Sequence, residues 1–245
     1  KVREEIIRVK KKEPLVVHCY ENDEGILEGD PGEEGYYLLM KWAAQMGCGS
    51  ESYNGTLGMD SVKNVKGLMK IFRSFDIASI NWVMADREGN IGYQMSGRLF
   101  KRAAGSGLLP LPAWEERNKS RGFVDSSLYP SSYNPAEGFI VTANNDLNHL
   151  GKCRAISLCW APYRADRAAD LIKGKKKCSI EDMKMIQLDK YSIQAEKLMK
   201  VIRPHLPDSE KGNILKNWDF RYTGNSVGAA LFESLYKSLK YIVFG

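Results

Sequence analysis

No run of apolar residues in the 245-residue sequence approaches the roughly 18 that a membrane-crossing helix needs, and no charged-then-apolar leader opens it. Histidine is scarce. His18, His149 and His205 sit in no nucleophile context, and without a GxSxG motif they give no support to a Ser-His-Asp hydrolase. HExxH is absent too, and the acidic pairs Glu115-Glu116 and Glu181-Asp182 suit solvated faces or a helix start better than metal ligation. The five cysteines, Cys19, Cys48, Cys153, Cys159 and Cys178, are odd in number and lack CxxC spacing, which argues against a zinc site and a complete disulfide framework. Gly105-Ser106-Gly107 lacks the lysine and the strand-to-helix setting of a phosphate loop. Charge of one sign is never gathered into a long block: 36 Lys and Arg stand against 30 Asp and Glu, for a net +6. The one basic run, Lys173 to Lys177, lies between two helical patterns and reads as a solvated loop, so a nucleic-acid module is the weakest of three functional readings.

A hydrophobic content of 43% is enough for one large domain or two small ones. From Glu4 to Tyr20 a strand is expected on either side of Pro14, with Ile6, Ile7 and Val9 in the first and Leu15, Val16 and Val17 in the second, followed by a turn at Asn22 to Gly25. Tyr37 to Ala44 fits a strand or one face of a helix, the strand being favoured, and Gly47 to Gly58 reads as loop. A helix capped by Asp60 carries Val62, Val65, Leu68, Met69 and Phe72 at helical spacing. Ile80 to Asp86 and Ile91 to Met95 flank Arg87-Glu88-Gly89-Asn90 and predict a β-hairpin. Turn residues dominate from Ser96 to Pro135, a long surface excursion that leads into a buried strand at Gly138 to Ala143. Helices are then expected at Tyr163 to Lys173, from a cap at Ser179 to about Ile202, and from Asn225-Ser226 onward. Strands come early and helices late.

Two polar groups stand beside apolar segments. Asn144-Asn145 follows the run ending at Ala143, where a fixed carboxamide NH₂ is a neutral donor suited to a developing oxyanion; ordinary turn chemistry accounts for the same residues. Arg164 and Arg167, three apart on one helix face, suit either a surface ion-pair network or a bidentate hold on a carboxylate or a catalytic group.

Five segments in order, NWVMADREGNIGYQMSG (81–97), LLPLPAW (108–114), YNPAEGFIVTANND (133–146), WAPYRADR (160–167) and IQLDKYSIQAE (186–196), resemble the penicillin acylase family. The resemblance is strongest from Ile80 to Gly228 and loose over the first 75 residues. It implies an α+β fold, part of a four-layer αββα sandwich of the N-terminal nucleophile hydrolases, in which self-cleavage exposes a Ser whose own amino group acts as base. It further implies that Asn144 is the side-chain oxyanion donor and Arg167 a supporting catalytic residue. Trp42 and Ile80 match positions that line the acyl pocket, with plain core packing an equal reading of both. The implied substrate is a small acyl amide, cleaved through an acyl-enzyme.

Lys1 falls inside the family's nucleophile-bearing subunit, so residues 1–245 are expected to be a partial domain. The nucleophile segment, the rest of that subunit and the smaller subunit would be its partners. The resemblance implies no cofactor for the chemistry. It leaves a structural calcium open, but Arg154 stands where some members place an acidic ligand. A periplasmic or secreted parent follows from the resemblance alone, since the residues themselves name no compartment. The other reading is a non-catalytic fragment or binding protein that keeps an acyl-binding cleft without the nucleophile.

Overall fold

The computed structural model describes residues 1–32, 34–102 and 107–245, which leaves Gly105-Ser106 outside the described residues. They divide into one unit of Lys1–Ile140 with Leu147–Leu158 and a second of Val141–Asp146 with Cys159–Gly245.

In the first unit the two expected strands are β1 (Val2–Ile7) and β2 (Leu15–Asn22), and they pair antiparallel, with Val2 opposite Tyr20 and Ile7 opposite Leu15. At the following turn Asn22 Oδ1 accepts from the N–H groups of Glu24 and Gly25, at 2.9 and 3.1 Å. β3 (Gly25–Leu27) and β4 (Leu39–Met40) complete a sheet in the order β1-β2-β3-β4. The strand favoured at Tyr37 to Ala44 is therefore only two residues long, and a 3₁₀ turn takes over at Ala43–Met46.

The stretch read as loop is instead a helix, α1 (Ser50–Gly58). Its Ser, Asn, Thr and Gly residues have poor helix propensity, which is why the sequence hides it. Tertiary contacts overrule that preference. The Asp76 carboxylate takes the N–H groups of Gly49 (3.0 Å) and Ser52 (3.3 Å), acting across 27 and 24 residues as the helix's N-terminal cap. Gly55 lies flush on the Phe75 ring, where a Cβ would come within 2.5 Å.

Helix α2 (Val65–Ser74) starts later than expected: Asn64, not Asp60, accepts from Gly67 N–H (2.9 Å), and Asp60 lies in the preceding 3₁₀ turn. Its buried Val65, Met69 and Phe72 pack with Phe75 and Met84, and Phe72 stacks on Trp82 at 4.0 Å. The hairpin forms as predicted, with β5 (Asn81–Ala85) against β6 (Ile91–Met95). Asp86 Oδ1 accepts from the N–H groups of Glu88 and Asn90, and Gly89 takes a φ of +86°. β7 (Ser131–Tyr133), at the end of the long excursion, adds the third strand. Gly92 is needed in β6, since a Cβ there would lie 2.4 Å from Val65.

The buried strand expected at Gly138 to Ala143 does not form. These residues run without strand assignment and are at most half-buried. An apolar run specifies a strand only when a neighbouring strand supplies the ladder, and among the described residues none pairs with it.

The second unit is helical: α3 (Tyr163–Ile172), α4 (Ile180–Gln187), α5 (Ile193–Ile202), α6 (Glu210–Lys216) and α7 (Val227–Phe244). The capping box at Ser179 and Asp182 and the Ser226 cap are as read from the sequence. The single helix expected from Ser179 to Ile202 is broken in two, with Ser192 capping α5 through Ala195 N–H (3.1 Å). The unit's core gathers Met199, Leu215, Trp218, Ala229 and Phe232. Gly228 allows the Trp218 ring to lie directly on α7, since a Cβ would fall 2.5 Å from it.

Candidate active site

Asn144 has a φ of +64°, a left-handed conformation that asparagine tolerates better than most residues. The turn around it is tied at both ends. Asn145 Oδ1 accepts from Ala143 N–H (3.0 Å), and the Asn144 carbonyl accepts from Trp160 N–H (2.7 Å). Asn145 thus performs the turn chemistry anticipated for the pair, which leaves the Asn144 side chain for other work. Its Oδ1 accepts from Arg164 Nη2 at 2.8 Å, and the same nitrogen donates to the Ala143 carbonyl at 2.7 Å. With Oδ1 engaged, the carboxamide presents its NH₂ to solvent, and among the described residues that group has no acceptor.

Arg167 lies one turn further along α3 and does not touch Asn144. Its Nε and Nη2 grip Asp189 at 2.6 and 3.2 Å, a bidentate hold that leaves the carboxylate with only 11% side-chain exposure. Arg221 adds a contact to the same carboxylate at 3.4 Å, and Tyr191 lies beneath the Arg167 guanidinium at 4.6 Å. Asp189 and Tyr191 both come from the break between α4 and α5. Arg167, Asp189 and Tyr191 line a cavity of about 390 Å³ with Tyr163, Leu171 and Tyr222.

The hydrogen bond from Arg167 draws the Asp189 carboxyl below its usual pKa, against the opposing effect of burial. A lowered folded-state pKa gives stability that is present above the unfolded value and is lost as pH falls through the folded one. Asp189→Asn is therefore expected to destabilise the intact protein by roughly 1.5–3 kcal/mol at neutral pH. Thermal unfolding at stepped pH should show this gap shrinking below about pH 4. A gap independent of pH would contradict the ion-pair account.

In the first unit Trp42 lines a cavity of about 340 Å³, whose walls include Ala43, Ile77, Leu99, Phe100 and Arg98. Ile80 is outside the lining. It follows the lining residue Ser79 at the start of the hairpin, is 41% exposed, and its carbonyl accepts from Ser96 N–H (3.0 Å). Asp76 also lines this cavity, and with Ser52 it forms a buried pair that no sequence pattern announced. Ser52 Oγ donates to Asp76 Oδ1 (2.8 Å) and accepts from the N–H groups of Asp76 (2.9 Å) and Ile77 (3.0 Å). With its hydrogen-bonding capacity filled, this hydroxyl is a strut and not a nucleophile.

Among the described residues no group of three or more His, Cys, Asp or Glu side chains is placed to hold a metal ion. No helix among them is long and apolar enough to cross a membrane.

The penicillin amidase family model matches residues 1–245. Acyl-homoserine lactone acylase QuiP of Pseudomonas aeruginosa is 28% identical over 258 residues, covering 97% of this chain and 30% of the relative. Penicillin acylase 2 proenzyme of Pseudomonas sp. strain SE83 is 26% identical over 226 residues, covering 89% of this chain and 29% of the relative. The chain thus spans less than a third of the length of these curated relatives. Among solved structures, thermostable penicillin G acylase from Alcaligenes faecalis superposes with a TM-score of 0.77 at 20% identity, covering 99% of this chain and 47% of that one. That likeness shows the α+β fold that the resemblance implied.

Proposed function

The chain belongs to the penicillin amidase family, and from that premise we propose that it carries part of the active site of an acylase hydrolysing the linear amide between an acyl group and an amine. The carrying observation is the Asn144 carboxamide, its oxygen held by Arg164 and its NH₂ open to solvent. When a nucleophile adds to the amide carbonyl, the oxygen takes up negative charge, and a donor already aimed at it stabilises both the addition step and the later attack of water on the acyl-enzyme.

In this reading residues 1–245 are an internal part of the nucleophile-bearing subunit. The N-terminal Ser, the remaining part of that subunit and the smaller subunit come from elsewhere in the full protein. Trp42 and Ile80 contribute apolar surface that selects the acyl group by burial. Arg167, held by Asp189 and without contact to Asn144, has a supporting role. The names of the relatives suggest two amine classes, a homoserine lactone and a β-lactam nucleus.

The test is amine release by the full-length, processed protein from N-acyl-homoserine lactones and from penicillins of varied acyl group. Hydrolysis of at least one series, with an initial burst that reports the acyl-enzyme, is the expected result. No amine from any of them, with acyl amides still bound, would leave a binding role in place of the catalytic one.

A further inference from the structure

We infer that Arg164 is a positioning residue for the oxyanion donor, a role that rests on the reading of Asn144 above. A carboxamide has two faces of opposite use: the oxygen accepts and the nitrogen donates, and rotation about the terminal bond by half a turn exchanges them. In an oxyanion site only one orientation helps, because a carbonyl oxygen aimed at a developing alkoxide repels it. Asn144 lies on an exposed turn with no packing to choose between them, so the choice falls to hydrogen bonding.

Arg164 makes that choice. A guanidinium has donors only, so the group facing it must be Oδ1, and the nitrogen is turned outward. One nitrogen, Nη2, donates both to Asn144 Oδ1 (2.8 Å) and to the neighbouring Ala143 carbonyl (2.7 Å), which fixes side chain and backbone together. The arginine is steadied in turn. It occupies the first turn of α3, and its guanidinium lies 5.2 Å from the Trp160 ring, while the Trp160 amide holds the Asn144 carbonyl. Trp160 and Arg164 therefore brace one residue from two sides. The positive charge behind Oδ1 also polarises the amide and strengthens its N–H as a donor. Arg167, the arginine singled out by resemblance, makes no such contact.

The experiment is a double-mutant cycle in the full-length processed protein, with kcat and KM read separately on a hydrolysed acyl amide. Arg164→Met is expected to lower kcat on the order of 10- to 100-fold with KM nearly unchanged, since orientation acts on the transition state and not on ground-state binding. Arg164→Lys, which keeps the charge and a donor, should recover part of that loss. In the Asn144→Ala background Arg164→Met should cost little more, because the side chain it orients is gone. An unchanged kcat in Arg164→Met overturns the inference, as does an undiminished loss in the Asn144→Ala background. If Asn144→Ala itself keeps near-wild-type turnover, the oxyanion reading fails first, a separate result visible in the single variant. Should Arg164→Met not fold, Arg164→Lys in both backgrounds gives the same comparison.

Discussion

Asn144→Ala in the full-length processed protein lowers kcat by about 100- to 1,000-fold and leaves KM and thermal stability close to wild type. The size of the effect follows from where the charge is. The side chain makes one hydrogen bond, to Arg164, on an exposed turn whose backbone is held independently by Trp160 N–H and by Asn145. Removing it disturbs little packing, so the folded state is expected to tolerate the change. The transition state loses a donor already aimed at the developing charge, and no reorganisation in the Ala variant replaces it. Asn144→Asp is the sharper variant: it is nearly isosteric but places an acceptor and a negative charge where the oxyanion forms, and its kcat should fall at least as far. A loss confined to KM, or none at all, would remove Asn144 from the chemistry.

Asp76→Ala is expected to cost about 3 kcal/mol or more of stability, measured by denaturant unfolding of the intact protein. Asp76 is 7% exposed and is bonded to Gly49 N–H, Ser52 N–H and Ser52 Oγ–H. Burial raises its pKa, but these donors outweigh that effect and the net displacement is downward, so it is charged in the neutral range. Truncation leaves buried donors without an acceptor, each costing roughly 1–3 kcal/mol. It also removes the cap of α1, a helix with poor intrinsic propensity. Because Asp76 and Trp42 line the same cavity, acyl-amide KM should rise along with the loss of stability. Asp76→Asn keeps one acceptor oxygen and should fall between wild type and Ala. Wild-type stability in Asp76→Ala would show that α1 stands without its remote cap.

Much of the fold was legible because its signals are local. Asp86 to Asn90 carries the whole chemistry of the hairpin turn, with Gly89 at the one position that needs positive φ. Ser179 with Asp182, and Ser226, announce their helices because a cap and its target N–H lie three residues apart. The order of strands first and helices later can be read from such signals, and the ordered motifs around Asn144 carry the family resemblance. α1 was not legible, since the carboxylate that caps it is Asp76 and the ring that covers its glycine is Phe75. Nor was the break between α4 and α5, whose residues Asp189 and Tyr191 meet Arg167 from another helix.

The sequence by itself determined the turns, the caps, the apolar faces and the identity of the polar groups, because all of these depend on residues within a few positions of one another. Only the tertiary structure decided which arginine serves which oxygen. Arg164 and Arg167 share a helix face and a chemistry, yet one reaches back 20 residues to Asn144 and the other forward 22 to Asp189. A guanidinium binds whatever acceptor the packing brings within about 3 Å, and that proximity is a property of the folded chain.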